Sequence, residues 1–140
     1  MRVKKLNSFK EVLLRISKYK IDWNKDGNSS LERRFRKLIF PYWEHYIVLF
    51  QLTIPGSKLK IDFLNCSKKI AVEINGPQHS HFNKYFHNNS PNVWLASMNR
   101  DDKKYRWCEQ NKIQMLELEE EDLNRFSPNY IFNKFKINII

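Results

Sequence analysis

Three apolar runs joined by short polar turns constrain the fold more than any other part of this chain. They are YIVLFQLTI at 46–54, LKIDFLN at 59–65 and KIAVEIN at 69–75. The connecting turns, PGSK and CSK, are only four and three residues long. A parallel crossover needs about a dozen residues or more, so connections this short join antiparallel neighbours. The sequence therefore predicts a three-stranded antiparallel meander.

The rest of the chain predicts helices and a further strand. The stretch KIQMLELE at 112–119 alternates in the manner of a strand. Apolar spacings of three and four residues, together with capping residues, indicate helices. The first predicted helix is SFKEVLLRISKY, with Ser8 as the N-cap and Phe9, Val12, Leu13 and Ile16 on one face. The second is SSLERRFRKLIF, which has an apolar stripe of Leu31, Phe35, Leu38 and Ile39 and ends at Pro41. A third helix runs from Pro91 to a left-handed Asn111, and a short fourth one lies in SPNYIFNKFKI.

Apart from the short C-terminal helix, these elements follow one another in the order ααβββαβ and predict an α/β fold, a mixed sheet flanked by helices. At 140 residues the chain suits a single domain. We expect its core at 29–119, with an N-terminal helical extension at 1–28 and a C-terminal extension at 120–140.

The charge balance is strongly basic, with 25 Lys and Arg against 15 Asp and Glu and a net charge of +10. Such an excess favours a polyanionic partner, most often nucleic acid, although it also suits a solubilising surface. The start MRVKKLNSFK lacks the apolar segment of a signal peptide, and no apolar run is long enough to span a bilayer. We therefore expect a cytoplasmic protein that is neither secreted nor membrane-bound.

The two cysteines, Cys66 and Cys108, do not form a C-x-x-C pair. This argues against a disulfide scaffold and against a closed zinc finger. A zinc site formed by these two cysteines with His81 and His87 stays an alternative, although its spacing is irregular.

Two acids stand inside predicted strands. Alternation places Leu59, Ile61 and Phe63 on one face of their strand and Asp62 on the other, and it separates Glu73 from Ile70, Val72 and Ile74. If the two strands pair through the short turn, Asp62 and Glu73 lie close together. Two such carboxylates repel each other unless a cation lies between them, and oxygen ligands favour Mg²⁺ or Mn²⁺. The alternative is a wet face on which both acids pair with Lys or Arg.

Three further residues could join this pair. His79 follows the Gly76–Pro77 turn, where a loop residue can reach a metal-bound water. Asp101 shares a predicted helix face with Met98, Tyr105 and Cys108, and an acid on such a stripe suits a histidine partner. Glu32 completes the capping-box pattern Ser29-Ser30-Leu31-Glu32, so it either caps its helix or leans over the sheet.

The set Glu32, Asp62, Glu73, His79 and Asp101 resembles the Vsr-like branch of the PD-(D/E)XK nucleases, whose active site is written EDxHD. The shared pattern runs through SLERRF, IDF, VEINGPQH and a helix carrying an aspartate, over about residues 29–119. Gln51 before the strand of Asp62 fits the same branch, as does the series Asp101, Lys104, Asn111. The chain departs at Asn75, where many relatives carry a second acid, and it has no lysine at the E-x-K position.

The resemblance implies a restriction-endonuclease-like fold and a metal-dependent DNA endonuclease, as in phage homing endonucleases and very-short-patch-repair-type nicking enzymes. It implies Mg²⁺ or Mn²⁺ on Asp62, Glu73 and the Ile74 carbonyl, His79 as general base, Asp101 as its orienting partner and Glu32 as the residue that orients a water. Candidate phosphate contacts are Arg33, Arg34, Arg36, Lys58, Lys60, Lys68 and Lys69.

The alternative is a nucleic-acid-binding module, or a subunit of a larger assembly, that keeps this fold without cutting. A homodimer is compatible with either function. The catalytic residues distinguish the two, because a protein that only binds has no need to hold Asp62, Glu73 and Asp101 on inner faces.

Overall fold

The computed structural model describes residues 1–25, 27, 29–75 and 91–140, and within the last range only the backbone of 91–99. The predicted Gly76–Pro77 turn and the residues His79, His81 and His87 lie outside these ranges. No helix within the described ranges is long and apolar enough to cross a membrane.

The described elements are six strands and five helices. They are β1 (Arg2–Lys4), β2 (Glu11–Leu13), α1 (Ile16–Tyr19), α2 (Ser30–Trp43), β3 (Val48–Thr53), β4 (Lys60–Asn65), β5 (Ile70–Ile74), α3 (Pro91–Gln110), β6 (Gln114–Leu118), α4 (Glu120–Asn124) and α5 (Pro128–Phe135).

The main sheet has the strand order β3-β4-β5-β6. Neighbours β3, β4 and β5 pair antiparallel, and β6 pairs parallel to β5. The return to a parallel position needs a long crossover, which the chain containing α3 supplies. The predicted mixed α/β architecture, a meander plus a further strand, is thus confirmed, with strand ends one or two residues shorter than expected.

Two hydrophobic clusters cover the two faces of this sheet. The first joins α2 and the C-terminal segment to the sheet, through Phe35, Trp43, Ile70, Val72 and Ile131 among others. The second joins the N-terminal segment and α3 to the opposite face, through Val3, Leu49, Ala71, Trp107 and Cys108 among others. The sheet is therefore the middle of three layers, and the C-terminal segment at 120–140 is part of the core.

The predicted N-terminal helix over 8–19 is wrong. The chain forms the antiparallel pair β1–β2, and only Ile16–Tyr19 is helical. The proposed apolar stripe is not buried, because Phe9 is 91% and Leu13 63% exposed. Ser8, predicted as an N-cap, accepts a hydrogen bond from the Lys10 N–H within the turn between the strands. The extension at 1–28 is therefore not a helical one.

Contacts with α3 explain why the hairpin forms here. The Lys4 N–H donates to Asn111 Oδ1 at 2.7 Å, and Trp107 Nε1 donates to the Lys4 carbonyl at 2.8 Å. Val3, the residue before Lys4, is buried in the second cluster. Residues more than a hundred positions away thus outweigh the local helical spacing.

Two predicted helix ends also shift. Helix α2 continues through Pro41 to Trp43, since Trp43 is fully buried and its Nε1 donates to the Ile139 carbonyl at 2.8 Å. After α3, the left-handed residue is Lys112 (φ 57°) and not Asn111. The side chain of Asn111 instead bonds to Lys4. The last predicted helix is confirmed as α5, capped by Ser127.

A buried carboxylate ties the C-terminal helices together. Asp122 is 1% exposed and accepts hydrogen bonds from Tyr130 Oη at 2.7 Å, Lys134 Nζ at 2.6 Å and the Glu119 N–H at 2.9 Å. Burial alone would raise the pKa of Asp122, but the bonds from the Glu119 N–H, Lys134 and Tyr130 outweigh it and hold that pKa below its usual value.

We expect Asp122→Ala to lower the free energy of unfolding by about 2–4 kcal/mol, because it leaves the donors of this network unpaired. Tyr130→Phe removes one bond and should cost about 1 kcal/mol. Urea unfolding of both variants measures this, and equal stability of Asp122→Ala and the unmodified protein would contradict it. Because the pKa is lowered, the contribution of Asp122 is present at neutral pH and is lost as the pH falls below about 4.

Candidate active site

The pairing of β3 with β4 is irregular at one position. The ladder pairs Phe50 with Phe63 and Leu52 with Ile61, while Gln51 between them has a left-handed backbone (φ 52°). Ile61 accordingly packs in the second cluster and Phe63 in the first. The prediction that Leu59, Ile61 and Phe63 share one face is therefore wrong for Phe63: the ladder skips Gln51 and Asp62 without a change of register, and the residues on either side of Asp62 pack on opposite faces of the sheet.

Asp62 lies at this irregularity, at the point where the backbone pairing of β4 with β5 ends. The last described ladder pair of the two strands is Phe63 with Val72. Beyond it, Asp62 Oδ2 accepts a hydrogen bond from the Ile74 N–H at 2.9 Å. The carboxylate thus takes the place of a backbone acceptor, which fixes it between the two strands.

Gln51 joins Asp62 to the helix above the sheet. Its Nε2 lies 3.1 Å from Asp62 Oδ1 and 3.3 Å from Glu32 Oε1. The left-handed backbone at Gln51 lets the amide lie beside both carboxylates. One neutral side chain therefore bridges two acids from different elements.

Of the two roles predicted for Glu32, the structure shows the second: its carboxylate leans over the sheet to Gln51 and, among the described residues, does not bond back to the start of α2. Its backbone N–H donates to Ser29 Oγ at 3.5 Å, so Ser29 caps α2. Burial, followed by the charge of Asp62, raises the pKa of Glu32, and Arg36 opposes that rise.

Glu73 is the most deeply buried acid of the group, at 8% exposure. Burial and the neighbouring Asp62 carboxylate raise the pKa of Glu73 to about 9, against the attraction of Lys104. Lys104 Nζ, from α3, lies 3.1 Å from Glu73 Oε1. The closeness of Asp62 and Glu73 is thus confirmed. The alternative, a solvent-exposed face on which both acids pair with Lys or Arg, fits only in part. Glu73 does have a lysine partner, but it is buried.

The sequence pattern assigns no role to Gln51 or Lys104. Gln51 appeared only as part of the family pattern, and its contacts depend on a backbone conformation that no turn motif signals. Lys104 stands three residues after Asp101, one turn along the helix. The spacing of the buried Trp107 and Cys108 could have placed Lys104 on the sheet-facing side of α3.

Asp101 does not lie on a buried stripe. It is exposed, and Tyr105 on the same face is 54% exposed. The face of α3 that packs on the sheet carries Lys104, Trp107 and Cys108 instead. The partner expected for Asp101, His79, lies outside the described residues.

The donor chemistry of the site fits a hard divalent cation. Asp62 and Glu73 offer carboxylate oxygens side by side, and burial first and the charge of Asp62 second raise the pKa of Glu73 to about 9, so a cation that replaced the proton would stabilise the pair. In the described ranges, no three His, Cys, Asp or Glu side chains form a metal-binding group by themselves. Two carboxylates, with the Ile74 carbonyl and waters, match the way Mg²⁺ is held in proteins.

The cysteines are placed in the core. Burial, with the nearby charge of Glu73 adding to it, raises the pKa of Cys108 to about 12, and burial also raises the pKa of Cys66. Both thiols are free and protonated at neutral pH, a poor state for binding zinc.

The candidate phosphate contacts differ in placement. Arg36 is 8% exposed; it donates to the carbonyls of Asp22 and Lys25 and lies 4.6 Å above the Phe50 ring, so it is part of the structure rather than a surface contact. Arg34 contacts Asn124 and Glu120, and Lys68 donates to the Ile140 carbonyl. The exposed members of the set are Arg33, Lys58, Lys60 and Lys69.

Fold and site together define a three-layer α/β domain with a buried acidic cluster at the point where the pairing of β4 with β5 ends. Over 99 residues, 66% of this chain, it is 35% identical to uncharacterized protein 033L of Invertebrate iridescent virus 3, of which it covers 49%. Over 80 residues, 56% of the chain, it is 34% identical to uncharacterized protein 307L of Invertebrate iridescent virus 6, covering 38%. The chain thus spans about half or less of these viral proteins. No protein-family model and no solved structure matches it.

Proposed function

We propose that this protein is a metal-dependent endonuclease that hydrolyses phosphodiester bonds in DNA. The observation that carries the proposal is the meeting of Glu32, Asp62 and Glu73, with Lys104, at the point where β4 and β5 part. A binding surface needs no such cluster, since burying carboxylates together destabilises a fold. The net charge of +10 suits the polyanionic substrate.

Asp62 and Glu73, with the Ile74 carbonyl, are the proposed ligands of Mg²⁺. When bound, the cation polarises the scissile phosphate and stabilises charge on the leaving oxygen. The bond from the Ile74 N–H keeps the Asp62 carboxylate in one orientation before any ligand arrives. That fixed orientation favours a preformed site.

The remaining residues handle water and charge. Glu32, held by Gln51, orients a water on the α2 side of the cluster. Lys104 approaches from the α3 side and stabilises negative charge on the phosphate. His79 is the proposed general base, with Asp101 as its orienting partner; this part of the proposal rests on the resemblance, as His79 lies outside the described residues.

The test combines metal binding with cleavage. Calorimetric titration with Mn²⁺ should show binding that Glu73→Ala weakens at least several-fold. Supercoiled plasmid should be nicked or linearised with Mg²⁺ and left intact with EDTA. DNA binding with neither Mn²⁺ binding nor cleavage would instead establish the non-catalytic binding module.

A further inference from the structure

A pocket of about 370 Å³ lies beside α2, on a face of the helix that includes Arg36. It opens between α2 and the loop that precedes it. Its described lining holds no carboxylate; it combines two aromatic rings, Trp23 and Phe40, with four basic side chains, Lys25, Arg33, Arg36 and Lys37.

The aromatic pair is arranged for stacking. The ring centroids of Trp23 and Phe40 lie 5.5 Å apart at 66°, an edge-to-face contact. In such a pair, one ring presents its edge and keeps its own face available to a third ring. Phe40 is 37% exposed and Trp23 half-buried, so ring surface is open at the pocket.

Two arginines hold the pocket wall in place. Arg36 donates to the carbonyls of Asp22, at 3.0 Å, and Lys25, and Arg33 donates to the Gly27 carbonyl at 3.2 Å. A Cβ added to Gly27 would lie 3.1 Å from Glu32 Oε2, so the loop also touches the acidic cluster. The wall is therefore shared between the pocket and the candidate active site.

We infer that this pocket binds one unpaired nucleotide of a nucleic-acid strand, its base stacked on the free ring face of the Trp23–Phe40 pair and its phosphate held by Lys37 and Arg33. Ring faces alone would suit any flat ligand, but the surrounding cations select an anionic one. Paired bases hide their faces in the duplex stack, so the pocket favours single-stranded or locally opened substrate. The inference rests on the proposed function in taking nucleic acid as the substrate.

The experiment measures binding of a labelled oligothymidylate of about twelve nucleotides in EDTA, with a hairpin duplex of equal length as the second probe. Trp23→Ala and Phe40→Ala should each weaken binding of the single strand by about tenfold and that of the duplex by less than about threefold. Tyr42→Ala is the matched control, since Tyr42 is on the same helix, is 39% exposed and does not line the pocket; it should change affinity by less than about twofold.

Two further measurements separate stacking from loss of folding. Trp23→Phe keeps a stacking ring, so it should retain affinity while the fluorescence quenching caused by the oligonucleotide falls. Lys37→Gln should reduce the slope of log affinity against log salt by about 0.7 for the single strand.

Equal affinities of Trp23→Ala and Tyr42→Ala would overturn the inference, as would unchanged quenching in Trp23→Phe or equal losses for single strand and duplex. The test is independent of cleavage. If the protein shows the expected binding but cleaves no DNA, the pocket is supported and the proposed nuclease activity is contradicted. If it cleaves DNA and Trp23→Ala leaves binding unchanged, the nuclease activity is supported and the pocket is contradicted.

Discussion

Asp62→Asn is expected to lower Mg²⁺-dependent cleavage of DNA by about 10³-fold or more, because it removes a charged ligand from the proposed metal site. Asparagine has the same shape, and its side-chain oxygen can still accept the bond from the Ile74 N–H. The fold should therefore survive the change. Single-turnover cleavage of plasmid, with circular dichroism as a check of folding, measures the effect.

Asp102→Asn is the matched control for that experiment. Asp102 is also an aspartate, but it is exposed on α3 and pairs with Arg106 at 3.1 Å, one helical turn away. We expect its cleavage rate to stay within about twofold of the unmodified protein. Similar rates for the two variants would exclude Asp62 from the chemistry.

The second large effect is expected for Glu73→Gln, which should change the free energy of unfolding when no metal is present. The pKa of Glu73 is about 9 in the folded protein, against about 4.3 for an ordinary glutamate. Between these values the folded chain holds a proton that the unfolded chain releases, so raising the pH destabilises the fold. Glutamine removes this dependence, and the variant should be more stable by ~1–3 kcal/mol at pH 8 in EDTA.

The pH dependence is the sharper part of this prediction. Below the unfolded pKa both states carry the proton, so the advantage of Glu73→Gln should shrink toward zero near pH 4. Urea unfolding at several pH values between these limits measures it. Glu121→Gln is the control, since Glu121 is exposed and pairs with Arg125 at 2.7 Å. The difference in stability between Glu121→Gln and the unmodified protein should stay small at every pH. An advantage of Glu73→Gln that is constant with pH would contradict the prediction.

In the presence of Mn²⁺, the unmodified protein should become more stable than Glu73→Gln. A bound cation offsets the charge that destabilises the unmodified protein, and binding to the folded state alone adds stability. Glu73→Gln lacks the charged ligand and should gain little. The same unfolding series with Mn²⁺ in place of EDTA tests this.

Residues close in the chain predict the sheet and the closeness of its two inner acids. Short turns allow only antiparallel neighbours, so the meander of β3, β4 and β5 could be predicted from residues close in the chain, whereas alternation failed on β4 at Phe63. The same reasoning brought Asp62 beside Glu73, which the raised pKa of Glu73 reflects. The helix near Pro91 and the capped helix after Ser127 were likewise local features.

The other side chains reach this pair through contacts between elements that are distant in the chain. The hairpin β1–β2 forms against a helical pattern because Trp107 and Asn111 bind Lys4 from across the chain. The left-handed backbone of Gln51 turns its amide to two acids, and Glu32 is drawn over the sheet by that amide. Lys104 reaches Glu73 only through the packing of α3 on the sheet. Each of these contacts joins residues distant in sequence, so its energy depends on the assembled fold and leaves no local pattern to read.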